Sequence, residues 1–211
     1  MFVLYYLCMC GITGCIGNNA QETVQRFTQF LTHRGPNANG IYADTEANVS
    51  LGQTRLSIID LTTNANQPMI DDTGRYILVF NGEIYNYQEL RKELEEKGYR
   101  FKTNSDTETI LHSFKHWGVD CLSHFRGMFA FAIYDRGSKY GANPKNTKNL
   151  PQDKPYLFIA RDRLGIKPLL YGFSHNNFTF SSELKPFIKS KLHNICINRK
   201  ALDDLMIFGS V

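Results

Sequence analysis

The sequence predicts an α+β protein in which β-sheets pack against one another and helices lie outside them. Stretches rich in β-branched and aromatic residues come first, two helices with clear start signals follow, and strand-like stretches then return. No internal repeat interrupts this order. Because each element has an apolar face to bury, strands and helices in this order are expected to form packed layers.

The composition is that of an ordinary globular protein, and it excludes several classes of function. The 211 residues suffice for one domain, or one with a short appendage, and 42% of them are hydrophobic. A net charge of +4, from 24 basic and 20 acidic residues, is too balanced to indicate a nucleic acid or a membrane as partner. Five cysteines without a CxxC pair, and no apolar run of membrane-spanning length, favour reduced thiols in a cytoplasmic protein.

Three strands and one helix are expected in the first part of the chain. Segment 10–17 mixes β-branched residues with glycine, which is typical of a strand with close backbone neighbours. Segment 20–33 repeats apolar side chains at helical spacing and is ended by the breaker RGPNANG. Segments 47–61 and 74–85 are apolar and rich in β-branched residues, so they predict two further strands.

Two amphipathic helices are predicted next, each preceded by a capping residue. Asn86 stands before the first helix with Glu89 three residues on, and Ser105 stands before the second with Glu108 at the same offset. Both patterns fit a capping box or its asparagine variant. A glycine ends each run, and apolar residues at helical spacing give each helix one face to bury.

Strands return in the last third of the chain. Segments 127–135 and 156–162 are the strongest strand predictions, and 168–172 and 177–183 follow them. Between the first two lies the loop Gly137–Pro155, which is rich in Lys, Asn, Gly and Pro. We interpret it as a long solvated hairpin loop, more plausibly an insertion than a partner surface.

Cys10 is the first candidate for chemistry. If synthesis begins at Met9, removal of that methionine leaves Cys10 as the first residue. Its thiol is then a nucleophile, and its free α-amino group, with a pKa of about 7.7–8.0, can accept the thiol proton near neutral pH. The alternative is a small buried residue of the first strand, and the motif MCGITG alone favours that alternative.

A second group of residues supplies the other parts of an amide-hydrolysing site. Asn81 and Gly82, at the end of an apolar strand, form a plausible oxyanion hole from a side-chain amide and a backbone N–H. Arg55 has the planar guanidinium that clamps a carboxylate, and Asp106 can hold an ammonium group. Taken singly, a turn, a structural ion pair and a helix-start carboxylate explain these residues equally well. Together with a thiol, they are the groups needed to hydrolyse an amino-acid side-chain amide.

At these residues the chain resembles a known family. It is similar to the glutaminase domain of the class II glutamine amidotransferases, the N-terminal nucleophile hydrolases, and within them to the asparagine synthetase branch. The stretches that carry this resemblance run in order from residue 9 to about residue 183 and are MCGITG, HRGP, RLSIIDL, QPM, FNGEIYNYQELR, SDTE, GMFAFAIYD and ARDRLGIKPLLY. Such a series is far more specific than one short motif.

The resemblance implies a four-layer αββα sandwich of two antiparallel sheets flanked by helices. It implies hydrolysis of glutamine to glutamate and ammonia through a γ-glutamyl thioester, with no metal or organic cofactor in this step. The residues it implies are Cys10 as nucleophile, Asn81 and Gly82 as oxyanion hole, Arg55 for the α-carboxylate, Asp106 with Glu83 for the α-amino group, and backbone groups near Ile58.

The domain organisation follows from the same resemblance. Residues 1–9 are interpreted as an extension, either a misassigned start or a propeptide, and residues 10–200 as the glutaminase domain. Residues 201–211 resemble the start of a linker to a synthetase domain, which uses ATP and Mg and has no counterpart in this sequence. The expected partners are glutamine and a synthetase domain or subunit, and a homodimer is compatible with the resemblance.

Two alternatives and one departure from the family pattern stay open. The domain can be a glutaminase for another acceptor, in a sugar or modified-peptide pathway, or a catalytically inactive binding or regulatory module. Gln53, Thr54 and Asn37 stand where the family more often has His, Arg and Asp. We expect little consequence from these three replacements, because Arg55 itself is kept.

Overall fold

The computed structural model describes residues 9–56, 66–141, 151, 153–174, 176–193 and 196–209. Within them the helices and strands follow one another in chain order as β1 (Gly11–Ile16), α1 (Ala20–Phe30), β2 (Ala38–Asp44), β3 (Val49–Arg55), β4 (Met69–Ile70), β5 (Tyr76–Ile84), α2 (Tyr87–Glu96), α3 (Asp106–Trp117), α4 (Cys121–His124), β6 (Gly127–Asp135), β7 (Tyr156–Arg161), β8 (Leu170–Ser174), β9 (Asn177–Ser181), α5 (Lys185–Ser190) and α6 (Arg199–Phe208). No helix in these segments is both long and apolar enough to cross a lipid bilayer.

The strands form two antiparallel sheets. The five-stranded sheet has the order β2-β3-β1-β9-β8, and the four-stranded sheet has the order β4-β5-β6-β7. The first strand of the chain therefore lies at the centre of its sheet, between β3 and β9. In its pairing with β3, Gly11 stands opposite Thr54, which brings the residue before β1 close to Arg55 at the end of β3.

Three apolar layers hold four structural layers together. Ile12 and Leu51 of one sheet meet Val79 of the other in the middle layer. Val24 of α1 packs on the outer face of the five-stranded sheet, and Phe114 of α3 packs on the outer face of the four-stranded sheet. The order helix, sheet, sheet, helix confirms the α+β class and the αββα sandwich that the sequence analysis predicted.

Most elements lie where they were predicted, and the differences have physical reasons. The strand predicted over 127–135 is β6, with the same ends. Strand β2 (Ala38–Asp44) was missed because it is an edge strand whose residues are mostly half-exposed, so it has no apolar run. Helices α5 and α6 were also missed. Residues 57–61 of one predicted strand, and residues 142–150 of the predicted loop, lie outside the described residues.

The predicted helix caps are only partly correct. Ser105 Oγ accepts a hydrogen bond from Glu108 N at 3.4 Å, as a cap does. Asn86 occupies the cap position of α2, but its side chain does not cap that helix. Its amide instead donates to His124 O at 3.0 Å and accepts from Arg126 N at 2.9 Å. The capping prediction for Asn86 is wrong because a tertiary partner satisfies the same side chain.

A buried ion pair joins the ends of β5 and β6. Arg75 Nε and Nη2 donate to the two carboxylate oxygens of Asp135 at 2.7 and 2.8 Å, and both side chains are almost fully buried. Replacing Asp135 by asparagine leaves a buried guanidinium without its counter-charge. We expect Asp135→Asn to lower the free energy of unfolding by about 3–5 kcal/mol, measured by urea denaturation.

The matched control is Glu93→Ala, which breaks the exposed pair between Glu93 and Lys97 on α2. This variant should lose less than about 1 kcal/mol, because water screens an exposed pair. Equal losses in the two variants would contradict the structural role assigned to the buried pair.

Candidate active site

A pocket opens between the two sheets at the ends of β3 and β5. Its walls are the residues that precede β1, the last residues of β3, the end of β5 and the first residues of α3. The cavity volume is about 100 Å³. Since one water needs roughly 10–15 Å³ by this measure, the pocket has room for a small polar molecule.

The Cys10 thiol lies directly before the first residue of β1, the central strand of its sheet. Cys10 Sγ lies 3.3 Å from Leu56 N, which donates to it, and 3.6 Å from Leu56 O. Burial raises the pKa of the Cys10 thiol, whereas the Leu56 N–H bond and the Arg55 charge lower it. Because burial has the larger effect, the thiol is neutral near pH 7 and needs a base to become a nucleophile.

The backbone of Cys10 is held by the arginine that follows α1. Arg34 Nε donates to Cys10 O at 3.1 Å, and Arg34 Nη1 pairs with Glu183 at 2.9 Å. Glu183 follows β9, the other neighbour of β1. The cysteine is therefore positioned from both sides of the central strand.

Asn81 points its side chain between the sheets. Side chains alternate along a strand, and Ile77 and Val79 of β5 lie in the layer between the sheets, so Asn81 faces the same way. The residue is 1% exposed, and its Nδ2 has no hydrogen-bond partner among the residues that the structure describes. A buried amide N–H₂ that lines a pocket without a partner is suited to donate to a ligand.

The register of β5 places the Gly82 N–H on the open edge of that strand. Gly82 pairs with Phe129 of β6, and Phe129 directs its own N–H and C=O to Asp162 on the far side, at 3.2 and 2.8 Å. In an antiparallel pair of this kind, the backbone groups of Gly82 also face away from the partner strand. Their neighbours on that edge agree, since Phe80 N and Ile84 N donate to side chains outside the sheet.

Glycine is required at position 82 by a close approach of backbone. Its φ is +157°, and a Cβ at this position would lie 2.2 Å from Met128 O and 2.7 Å from Phe129 Cα. Any larger residue would push β5 away from β6 and move the neighbouring Asn81.

Two charged side chains flank the pocket. Arg55, at the end of β3, is buried and donates to Asn66 Oδ1 at 2.5 Å. Asp106, the first residue of α3, accepts from Ile84 N at 3.0 Å. Burial raises the pKa of Asp106 to about 6, against a smaller lowering by the Ile84 N–H. The pocket thus carries a cation and a titratable anion on different elements, as a zwitterionic ligand requires.

The predicted site residues come together in this pocket, with one residue outside the described segments. Those that line it are Cys10, Arg55, Asn81, Gly82, Glu83 and Asp106. Ile58 lies outside the described residues. Residues separated by up to 96 positions in the chain therefore share one cavity.

Other residues of the pocket wall were not predicted from the sequence. Gln53, expected to matter little, lines the pocket, and so do Gln67 and Lys167. Lys167 Nζ contacts Met9 Sδ at 2.7 Å, and burial followed by the Arg34 charge lowers the pKa of this lysine. A signal for Gln53 existed, because it lies two positions before Arg55 and so on the same face of β3.

Known structures define the class to which this architecture belongs. A glutamine phosphoribosylpyrophosphate amidotransferase from Bacillus subtilis superimposes with a TM-score of 0.68 at 23% identity, over 85% of this chain and 43% of that chain. Two antiparallel sheets between helices form the N-terminal nucleophile hydrolase fold of glutamine amidotransferases. A family model described as "Glutamine amidotransferase domain" matches residues 9–143 and 150–211, and the chain belongs to this family.

Curated relatives confirm the branch that the sequence resembles. Asparagine synthetase [glutamine-hydrolyzing] 3 of Bacillus subtilis is 36% identical over 210 residues, which are 95% of this chain and 31% of that protein. A putative asparagine synthetase 2 of Methanocaldococcus jannaschii is 37% identical over 96% of this chain and 40% of its own length. Amidase chry2 of Gibberella zeae is 34% identical over 85% and 26%. The chain thus spans between about a quarter and two fifths of these relatives.

The raised pKa of Asp106 predicts a pH-dependent stability. Its value of about 6 exceeds the ordinary 3.8, so the folded protein binds this proton more tightly than the unfolded chain. The contribution of Asp106 to stability is therefore greatest below about pH 4 and is lost as pH rises to about 6. We expect the free energy of unfolding of Asp106→Asn, relative to the unsubstituted protein, to rise by on the order of 2–3 kcal/mol between pH 4 and 7.

Urea denaturation at several pH values measures this difference, and Asp72→Asn is the control. Asp72 forms an exposed pair with Lys102, and water screens such a pair, so its replacement should change the free energy of unfolding only slightly at each of these pH values. A flat curve for Asp106→Asn would contradict the raised pKa.

Proposed function

We propose that this domain hydrolyses the side-chain amide of glutamine to glutamate and ammonia. The single observation that carries this proposal is the meeting, in one pocket, of the Cys10 thiol with the Asn81 Nδ2 and Gly82 N–H donors. A nucleophile and two N–H donors on residues that line one cavity are the groups that acyl transfer uses to form and stabilise its oxyanion. Membership of the glutamine amidotransferase family supports glutamine as the amide.

The charged groups of the pocket suit the amino-acid end of glutamine. The Arg55 guanidinium binds the α-carboxylate through paired N–H groups, and Asp106 with Glu83 binds the α-ammonium group. Asp106 is ionised and most effective above its pKa of about 6. When its α-carboxylate and α-ammonium groups are bound in this way, glutamine extends its side-chain amide towards Cys10.

The reaction proceeds in two halves. The α-amino group of Cys10 takes the thiol proton as Sγ forms a bond to the amide carbon, and Asn81 and Gly82 hold the oxyanion. The carbon–nitrogen bond then breaks, and the nitrogen leaves as ammonia with the transferred proton. Water, deprotonated by the same α-amino group, attacks the carbonyl carbon of the γ-glutamyl thioester. The carbon–sulfur bond then breaks, glutamate leaves, and the α-amino group returns the proton to Sγ. These steps require no metal ion and no organic cofactor.

The mechanism requires a free α-amino group on Cys10. While Met9 is attached, that nitrogen is an amide and cannot act as a base. The proposal therefore includes removal of everything before Cys10, either as an initiator methionine at Met9 or as a propeptide. The Met9 side chain, which contacts Lys167 Nζ, leaves the pocket in the same step.

The ammonia is proposed to serve ATP-dependent synthesis of asparagine from aspartate. The relatives named asparagine synthetase are about two to three times longer than this chain, and ATP and Mg would bind in a synthetase domain or subunit. The similarity to Amidase chry2 favours a second candidate, in which the ammonia serves another acceptor. The chemistry at Cys10 is the same in both.

The proposed mechanism predicts the effects of the terminal nitrogen and of the thiol on activity. A protein whose first residue is Cys10 should release glutamate from glutamine, and Cys10→Ala should reduce the rate by at least about a thousandfold. A form that retains Met9, verified by intact mass, should be as inactive as Cys10→Ala. Turnover by the form with Met9 attached would contradict the role of the α-amino group.

The oxyanion hole can be tested separately, by removing one of its donors. Asn81→Ala should lower kcat by about 10²–10³-fold with a smaller change in KM, because the donor acts mainly on the charge that develops in the transition state. The control is Asn86→Ala, which removes an amide of the same size from the start of α2, outside the pocket. Steady-state glutamate release measures both, and similar kcat values for the two variants would oppose the proposed role of Asn81.

A further inference from the structure

Two glutamine side chains of the pocket wall bind the backbone of Phe80. Gln53 Nε2, from β3, donates to Phe80 O at 3.1 Å. Gln67 Oε1 accepts from Phe80 N at 2.6 Å, and Gln67 Nε2 donates to Thr107 Oγ1 at 3.2 Å. Both polar atoms of Gln67 are therefore paired, and Phe80 immediately precedes Asn81.

These contacts fix the orientation of the Gln53 amide. The Phe80 carbonyl can only accept a hydrogen bond, so the NH₂ group of Gln53 must face it and the Gln53 oxygen must point elsewhere. That oxygen, Oε1, has no hydrogen-bond partner in the part of the chain that the structure describes. Bulk water does not replace the missing partner, because Gln53 is only 1% exposed. Gln53 lines the pocket.

Two residues of the pocket wall therefore each carry a buried polar atom without a partner among the described residues, one an acceptor and the other a donor. The acceptor is Gln53 Oε1 and the donor is Asn81 Nδ2. Buried polar groups are nearly always hydrogen-bonded, so two such atoms in one cavity indicate a ligand that supplies both a donor and an acceptor. A primary carboxamide has this combination, with an N–H₂ group and a carbonyl oxygen on the same carbon.

We propose that Gln53 is a specificity-determining residue that recognises the amide nitrogen of the substrate. Gln53 Oε1 accepts from the side-chain N–H₂ group, while Asn81 Nδ2 donates to the side-chain carbonyl oxygen. This inference rests on the proposed glutaminase function and deepens it. A carboxylate, as in glutamate, has only oxygens to place against Gln53 Oε1, so the pocket selects the substrate amide against the product acid.

Direct binding measures this preference without turnover. Calorimetry gives the dissociation constants of glutamine and glutamate for the Cys10→Ala protein, with every residue before position 10 removed. In that background Gln53→Met, of similar length but without an acceptor oxygen, should lower the glutamine-over-glutamate preference by roughly tenfold, as expected for the loss of one hydrogen bond. Gln67→Met is the matched control, and the preference should stay within about twofold because both polar atoms of Gln67 are paired with the protein.

A second variant separates recognition from simple bracing of Phe80. In Gln53→His, a neutral imidazole donates to Phe80 O through one nitrogen and accepts through the other, which restores the preference near pH 8. Below about pH 6.5 the imidazolium has no acceptor, and the preference should fall relative to Gln53 protein at the same pH. Comparison at equal pH cancels the titration of Asp106.

These experiments distinguish failure of the inference about Gln53 from failure of the proposed glutaminase function. Equal weakening of glutamine and glutamate by Gln53→Met, or an equal loss of preference in Gln67→Met, would reduce Gln53 to a structural brace and overturn the inference. Failure of the parent protein to bind glutamine would overturn it too. Absence of glutamate release by the protein that begins at Cys10, with the binding preference shifting as expected, would overturn the hydrolytic function and leave the recognition by Gln53 standing.

Discussion

The site depends on the antiparallel pairing of β1 with β3. Gly11 N donates to Thr54 Oγ1 at 3.1 Å, and the register of the two strands sets Cys10 beside Arg55 and Leu56. A Cβ at Gly11 would lie 2.7 Å from the same Thr54 oxygen, so glycine permits this closeness. Since β1 is the central strand, a shift of one position would move the thiol away from every other group of the pocket.

The second half of the site is built on β5, in the other sheet. Successive side chains of this strand point to opposite faces of the sheet. Asn81 faces the gap between the sheets, and its neighbour Phe80 packs towards the helices. The backbone edge of the same strand binds Gln67 through Phe80 and Asp106 through Ile84. Backbone groups of a paired strand therefore position this half of the pocket, and burial causes the pKa shifts of its charged groups.

The pKa directions in the pocket have one common cause. Burial raises the pKa of the Cys10 thiol and of the Asp106 carboxyl, and it lowers that of the Lys167 ammonium. Each shift favours the neutral form of the group. A pocket in which burial disfavours charge favours a ligand that brings complementary charges, as a zwitterionic amino acid does.

The sequence by itself determined the fold class, the capped start of α3 and the identity of six of the residues that line the pocket, because hydrophobic period, capping and motif residues are local. It did not point to Gln53, Gln67 or Lys167 of the same wall. It did not reveal the edge strand β2, whose half-exposed residues have no apolar pattern, nor the use of the Asn86 amide, which is decided by the distant residue Arg126. Only the tertiary structure decided which polar atoms lack a partner. The orphan oxygen of Gln53 and the orphan amide of Asn81 arise because strands from two sheets meet at one cavity, and long-range contacts of this kind are not encoded in any single stretch.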